Sequence, residues 1–364
     1  MILRVFPPDA RSFGDWQHIG ILPDVLSGKV TEKRNEDYKL EFEYPSGGRN
    51  TELIVPGNIV LSTANDTDGF QPFRITDIKS TMPGKISVSA VHLALWIASG
   101  GAISTLNKSG SAAEIIAAIA ANKTGGGGAT LSTDISGSYN YSNRTPKSLF
   151  SAIVGSEGSF VDVVGGATLH FHDLSIDVLR NRGADRGVEA RYGINLVSLD
   201  AEDNLNNYAT HILPYWSNDE TVVYVANFAS QRVIALTTDS SLPQKIEVAD
   251  FSGSYDEAPT AAALREKALS WAAKNLVQTP VQTISAEFVP LWYTEEYKHR
   301  IPAQTISIDD EITIVHPGIN LRSKSKVVAL EWDIMRQQYT SVQTGKIRRT
   351  IIDTIKSLQK GARK

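Results

Sequence analysis

Cysteine is absent from the 364-residue chain. Disulfides, thiolate metal sites and a cysteine nucleophile are therefore excluded. A long apolar run is also missing. The best candidate, 112–121, is interrupted by Glu114 and is too short to span a bilayer. The first residues, MILRVFPPDARS, lack the basic-then-apolar order of a secretory signal. Assembly in the cytoplasm without stable membrane insertion is expected. No strong charge of one sign is present. The net charge of -4 gives no basis for non-specific nucleic-acid binding.

Several catalytic signatures are missing too. No serine sits in a GxSxG elbow. Gly28-Lys29, Gly84-Lys85 and Gly345-Lys346 are not followed by Ser or Thr, so there is no phosphate-cradling P-loop. The glycines at 125–128 follow a helical segment instead of opening one, which makes them a linker.

What is present is short alternating segments separated by turns. Strands are expected at 2–6, 37–44, 73–78 and 85–91, with two strand pieces in 53–61 broken by Pro56 and Gly57. Alanine- and isoleucine-rich 112–122 reads as a helix capped by Ser111. A second helix is expected after Thr145 and Pro146, with Leu149, Phe150 and Ile153 on its apolar side. Residues 160–164 and 167–172 read as a hairpin turning at Gly165 and Gly166, followed by strands at 174–179, 188–192 and 194–199. Strands return at 209–213, 222–225, 232–237 and 245–249. After a helix at 259–275 they resume at 281–289, 311–315, 326–333 and 339–343.

A chain of this length exceeds a single core. The reading is an α+β, β-rich protein with two β domains, each a barrel or sandwich, flanking one mixed lobe. Residues 1–96 form the first β domain. Residues 97–193 form the α+β lobe, with the 250–278 helix packed back onto it. Residues 194–249 and 279–344 form the second β domain. The tail 345–364 places Ile347, Ile351, Ile352, Ile355 and Leu358 on one helical stripe. Its seven basic residues against Asp353 make it a basic amphipathic helix of net +6.

Few side-chain constellations suggest chemistry. His170 and His172 alternate with Phe171 and share a strand face, with Asp173 next. A catalytic zinc needs a third ligand and an open position, so they read as ordinary strand histidines. Asp66, Asp68 and Gly69 resemble part of a calcium loop, but Ala64 occupies the preceding ligand position, so a polar turn is the reading. Asp309, Asp310 and Glu311, and Glu295 with Glu296, are acidic clusters that read as surface turns. Trp216, Trp292 and Trp332 are core aromatics in preference to sugar platforms of a carbohydrate-binding module. No catalytic, cofactor or metal residue is assigned.

The order of segments nonetheless resembles a known family. LSGKVTEKRNEDYKLEFEYP (26–45), FQPFRITDI (70–78), RNRGADRGVEARYGINLVSL (180–199), LWYTEEYK (291–298), ITIVHPGIN (312–320) and VVALEWDIMRQQYTSVQTG (327–345) run in its order along nearly the whole chain. They are similar to the phage tail-tip and baseplate hub proteins, which include the N-terminal region of tail-associated lysins, prophage endopeptidase tail proteins and phage minor structural proteins. Asp309-Asp310 departs from the Gly-Asp turn frequent there. Longer members continue into peptidoglycan-cleaving or receptor-binding domains.

The resemblance implies a homotrimer in which each copy gives two related β-barrel-like domains, the six forming a pseudo-sixfold ring at the virion tail tip. It implies contacts with a distal tail protein or tail tube hexamer, the tape measure protein, and downstream spike or receptor-binding proteins. DNA would be transient cargo at genome ejection. No cofactor is implied. The expectation is a structural hub without enzymatic activity; a tail-associated peptidase or cell-wall hydrolase is the alternative.

Overall fold

Alternation at period two makes strand the commonest regular element among the described residues. The computed structural model describes residues 2–14, 17–81, 84–125, 128–155, 158–204, 208–218, 220–237, 244–276, 281–293 and 305–350. They fall into two compact units. One comprises Met1–Leu199 with Ala286–Gly345; the other comprises Asp200–Ser285 with Lys346–Lys364.

The first unit opens with β1 (Leu3–Phe6), β2 (Gly20–Leu22), β3 (Ser27–Lys33), β4 (Tyr38–Pro45), β5 (Ile59–Asn65), β6 (Gly69–Thr81) and β7 (Lys85–His92). On β4, Tyr38, Leu40, Phe42 and Tyr44 are buried while Lys39, Glu41 and Glu43 stay partly wet. One face therefore carries the apolar burial, at about 25 cal/mol per Å². The hydrogen-bonded order is the strand Gln338–Thr350, then Leu321–Asp333, β3, β4, β7, β6, β5, β1 and β2. Leu321–Asp333 pairs antiparallel with β3, setting Trp332 opposite Val30. The β regions 1–96 and 279–344, read from the sequence as separate domains, are thus hydrogen-bonded side by side. That pairing joins segments some 300 positions apart and leaves no local trace.

The mixed segment belongs to the same unit. Helix Ala112–Asn122 begins in a full capping box, with Ser111 accepting from the Glu114 amide and the Glu114 carboxylate accepting from the Ser111 amide. Helix Leu149–Ile153 is capped by Ser148 instead of Thr145, because Lys147 and Ser148 pair as strand with Ala102–Ile103. Phe160–Val163 is a helical turn capped by Ser159, where a strand was expected. Four residues of alternation fit either period, and the cap decided. The hairpin forms one step later, between Thr168–His172 and Ser175–Leu179, turning at Asp173 with φ 47°. Of the two pieces expected in 53–61, only β5 is strand; Thr51–Leu53 is a 3₁₀ turn.

The second unit holds the sheet strands Val222–Tyr224, His211–Ser217, Ile234–Ala235 and Ile246–Asp250. Helix Ala261–Asn275, capped by Thr260, lies on one face. Its Leu264, Ala268 and Ala272 bury against Ile212, Trp216, Ile234 and Phe251. The helix was expected to pack back onto the 97–193 lobe; its buried face is instead matched within its own unit. Gly345 continues the strand Gln338–Thr350, so the helix expected over 345–364 does not begin there. Residues 351–364 lie outside the described residues. Among the described residues, no helix is long and apolar enough to cross a membrane.

Candidate functional site

Alternation on β3 places Val30 and Glu32 on the buried face. A carboxylate taken out of water needs a partner, and Glu32 finds one from far away. The polar loop between Ser175–Leu179 and the strand Asp185–Arg191 brings Arg182 to it. The other Arg182 amino group meets Asp68 Oδ2 at 2.9 Å. The Arg182 and Glu32 side chains are each 5% exposed, and that of Asp68 is 11%. Asp68 also bonds His170 Nε2 at 3.1 Å and accepts from Asn65 Nδ2 at 2.8 Å. Burial alone would raise the Asp68 carboxyl, but the His170 hydrogen bond, the Arg182 charge and Asn65 together hold it below the usual carboxylate range.

The next residues of the same loop reach the 309–310 turn. Asp310 accepts from Ala184 N at 2.7 Å, Arg186 Nε at 2.9 Å and Ser307 N at 2.7 Å. Asp309 pairs with Arg34 Nε at 2.9 Å and accepts the Thr168 hydroxyl. Gly183 lies flat against this turn, where an added Cβ would stand 2.0 Å from the Asp309 carbonyl carbon and 2.1 Å from Asp310 N. Asp309 has φ 70°, a backbone state glycine takes freely. The expected departure from a Gly-Asp turn therefore keeps the turn and adds a charged contact. Asn35 completes the junction. Its amide donates to Ala167 O at 2.9 Å and its carbonyl accepts from Leu169 N at 2.8 Å, continuing the strand edge with a side chain.

Other carboxylates here are engaged as well. Asp66 accepts from the Tyr339 hydroxyl at 2.5 Å and from Tyr293 at 3.2 Å. Burial raises its pKa against those two hydrogen bonds. Asp66 and Asp68 thus diverge toward different partners and do not converge as calcium ligands would. Asp309 and Asp310 likewise face guanidinium, amide and hydroxyl donors, not a shared cleft. Paired-carboxylate acid/base chemistry is not assembled from them. The acidic pair Glu295 and Glu296 lies outside the described residues. Trp216, Trp292 and Trp332 are buried, as core aromatics should be. His170 and His172 share a strand face, with Asp177 beside them.

Glu32, Arg34, Arg182 and Arg186 were not singled out from the sequence. One signal existed: an inward-facing Glu on an alternating strand requires a buried cation. Its identity was hidden by 150 residues of separation.

Behind this network His92 is fully buried. It stacks on Tyr38, with centroids 4.6 Å apart, and bonds Gln71 Oε1 at 3.1 Å. Burial pushes its pKa down from 6.5 to about 3. Between those values the unfolded chain holds a proton that the folded chain refuses. Stability therefore falls as pH drops through that window. Substituting His92→Phe keeps a ring against Tyr38 and removes the titration. Urea unfolding from pH 7 to pH 3 should lose less stability in this variant than in the parent; equal slopes would contradict the assignment.

On the outer side of the sheet, a groove of about 760 Å³ is lined by Lys29, Glu41, Glu43, Asp77, Lys79 and Arg336, among others. Lys29 pairs with Glu331 at 3.2 Å and Lys85 with Glu43 at 3.0 Å, so it reads as a solvated face.

Comparison by sequence finds no matching family model and no matching curated relative. Comparison by structure does find matches. A prophage tail protein from Listeria monocytogenes superposes with TM-score 0.54 at 13% identity, over 100% of this chain and 99% of that one. A tail protein from Neisseria meningitidis gives 0.55 at 10% identity, over 95% and 96%. The 43 kDa tail protein of a Shewanella oneidensis prophage gives 0.55 at 11% identity, over 96% and 98%. The chain shares, end to end, the β-rich α+β fold of phage and prophage tail proteins.

Proposed function

We propose that this protein is a structural hub of a phage or prophage tail tip or baseplate. The observation supporting the reading is the end-to-end likeness of its fold to three tail proteins of nearly its own length. The buried network agrees with that role. Its carboxylates are committed to guanidinium, imidazole, amide and hydroxyl partners, which holds distant segments together.

In this reading three copies close a ring of pseudo-sixfold symmetry, and closure stops further growth. The ring mates with a distal tail protein or the tail tube hexamer and carries the spike or receptor-binding proteins. The tape measure protein and then DNA pass through its bore. A mildly acidic chain suits DNA that must leave, since strong phosphate neutralisation would retain it. The protein works at the virion tail tip after assembly in the host cytoplasm, and it is not an enzyme.

The test is solution mass by light scattering, followed by negative-stain imaging with and without its tube neighbour. A three-copy particle with a central hole is the expected result. A single-copy mass with no annulus beside the neighbour would overturn the hub. Zymography on purified cell wall addresses the alternative: clear lysis by this chain would replace the structural reading with a hydrolase.

A further inference from the structure

The hairpin Thr168–His172 and Ser175–Leu179 places three metal-ligating groups on one face. His170 is directly cross-strand from Asp177, and His172 is two residues further along the same strand. Their ligand atoms all lie within 4.8 Å of one another. His172 Nε2 is 2.8 Å from Asp177 Oδ2, and His170 Nδ1 is 4.0 Å from the same oxygen. A tetrahedral ion with bonds of about 2.0–2.2 Å separates its ligands by roughly 3.3 Å. The two distances straddle that value and no pair of ligand atoms is more than 4.8 Å apart, so small rotamer adjustments seat an ion.

We propose that His170, His172 and Asp177 bind one divalent transition-metal ion of the zinc class. Two imidazoles and one carboxylate are a donor set such ions favour.

The surroundings orient two of the three groups, His170 and Asp177, as metal ligands are usually oriented. Asp68 takes His170 Nε2 at 3.1 Å, which turns the lone pair of Nδ1 toward the other two. Asp68 is itself held by Arg182 and Asn65. Ser132 donates to Asp177 Oδ1 at 2.6 Å, leaving Oδ2 for the ion. The His170 and Asp177 side chains are each 23% exposed and that of His172 is 39%, so solvent can supply the fourth ligand. The ion would tie the two hairpin strands to each other and, through His170 and Asp68, to the β5–β6 turn. The inference does not depend on the hub reading.

The test uses the full chain, stripped with chelator and titrated with Zn²⁺ by calorimetry and with Co²⁺ by absorption. One equivalent should bind at this site, with the visible bands of four-coordinate Co²⁺. Zn²⁺ should raise the thermal midpoint and chelator should reverse the rise. H172A and D177N should each weaken binding about tenfold or more, and S132A by about tenfold. H316A, on a different strand, should leave it unchanged. Zinc-edge X-ray absorption of the parent protein should show two imidazoles, which decides the matter even if a variant misfolds. No saturable binding, affinity in H172A within threefold of the parent, or a first shell without imidazole would overturn the proposal.

Discussion

Gly183→Ala should destabilise the first unit by roughly 3 kcal/mol, the upper range for overpacking. The new methyl would stand 2.0 Å from the Asp309 carbonyl carbon, 2.1 Å from Asp310 N and 2.2 Å from Asp309 O. All three are backbone atoms, so no side-chain rotation relieves the clash. Either the 180–187 loop or the 309–310 turn must move. Movement of either strains the Ala184 N and Arg186 bonds to Asp310 and the Glu311 N bond to Ala184 O. Gly187→Ala provides the contrast. Gly187 has φ +74° but open space around its Cβ position, so only the backbone preference is lost, about 1 kcal/mol. Urea denaturation of both variants measures the difference. A Gly183→Ala protein as stable as the Gly187→Ala protein would refute the close backbone approach.

Arg182→Met has the other large expected effect, a loss of roughly 3–5 kcal/mol. Methionine fills much of the volume but leaves Glu32 and Asp68 facing each other without their shared cation. The cost is that of Glu32 stranded without a cation and of Asp68 left with His170 and Asn65 alone in place of a guanidinium, and it exceeds the net worth of the original pair. Arg182→Lys should recover only part of it, because one ammonium cannot bond Glu32 and Asp68 with two separate nitrogens as the guanidinium does. The double variant Glu32→Gln/Arg182→Met should recover more, since one stranded charge is removed. The pH profile carries a further sign. Asp68 titrates below its ordinary value in the folded protein, so its contribution is complete above that value and lost as pH falls into the acid range. In Arg182→Met this acid loss should shrink, because part of the stabilisation of the ionised form is already gone. A double variant no more stable than Arg182→Met would argue against stranded charge as the cause.

Much of the first unit was legible in the residues. On β4 the alternation of Tyr38, Leu40, Phe42 and Tyr44 with Lys39, Glu41 and Glu43 named both the strand and its buried face. Ser111 named the start of a helix because an N-cap is a local device, and the structure adds Glu114 to complete a capping box. At 160–163 locality failed. Four alternating residues satisfy strand and helix periods alike, and Ser159 as a cap tipped the balance.

The candidate site was legible only in fragments. The RNRGADRG loop, the Asp66–Asp68 turn and Asp309–Asp310 each stood out, but as separate polar turns. Charge has no period, and nothing local says which carboxylate a guanidinium will meet. His170 and His172 were visible as a same-face pair, whereas Asp177 joined them only through hairpin register.

From composition and pattern alone came the β-rich α+β class, the lack of thiol chemistry, the positions of most strands and the Ser111 helix cap. These follow from period, propensity and capping, all of which act within a few residues. Tertiary structure alone decided that Leu321–Asp333 lies beside β3, that helix Ala261–Asn275 is buried within the second unit, and that Arg182 bridges Glu32 and Asp68. Those outcomes depend on which distant surfaces exclude water together, a property that no short window of sequence contains.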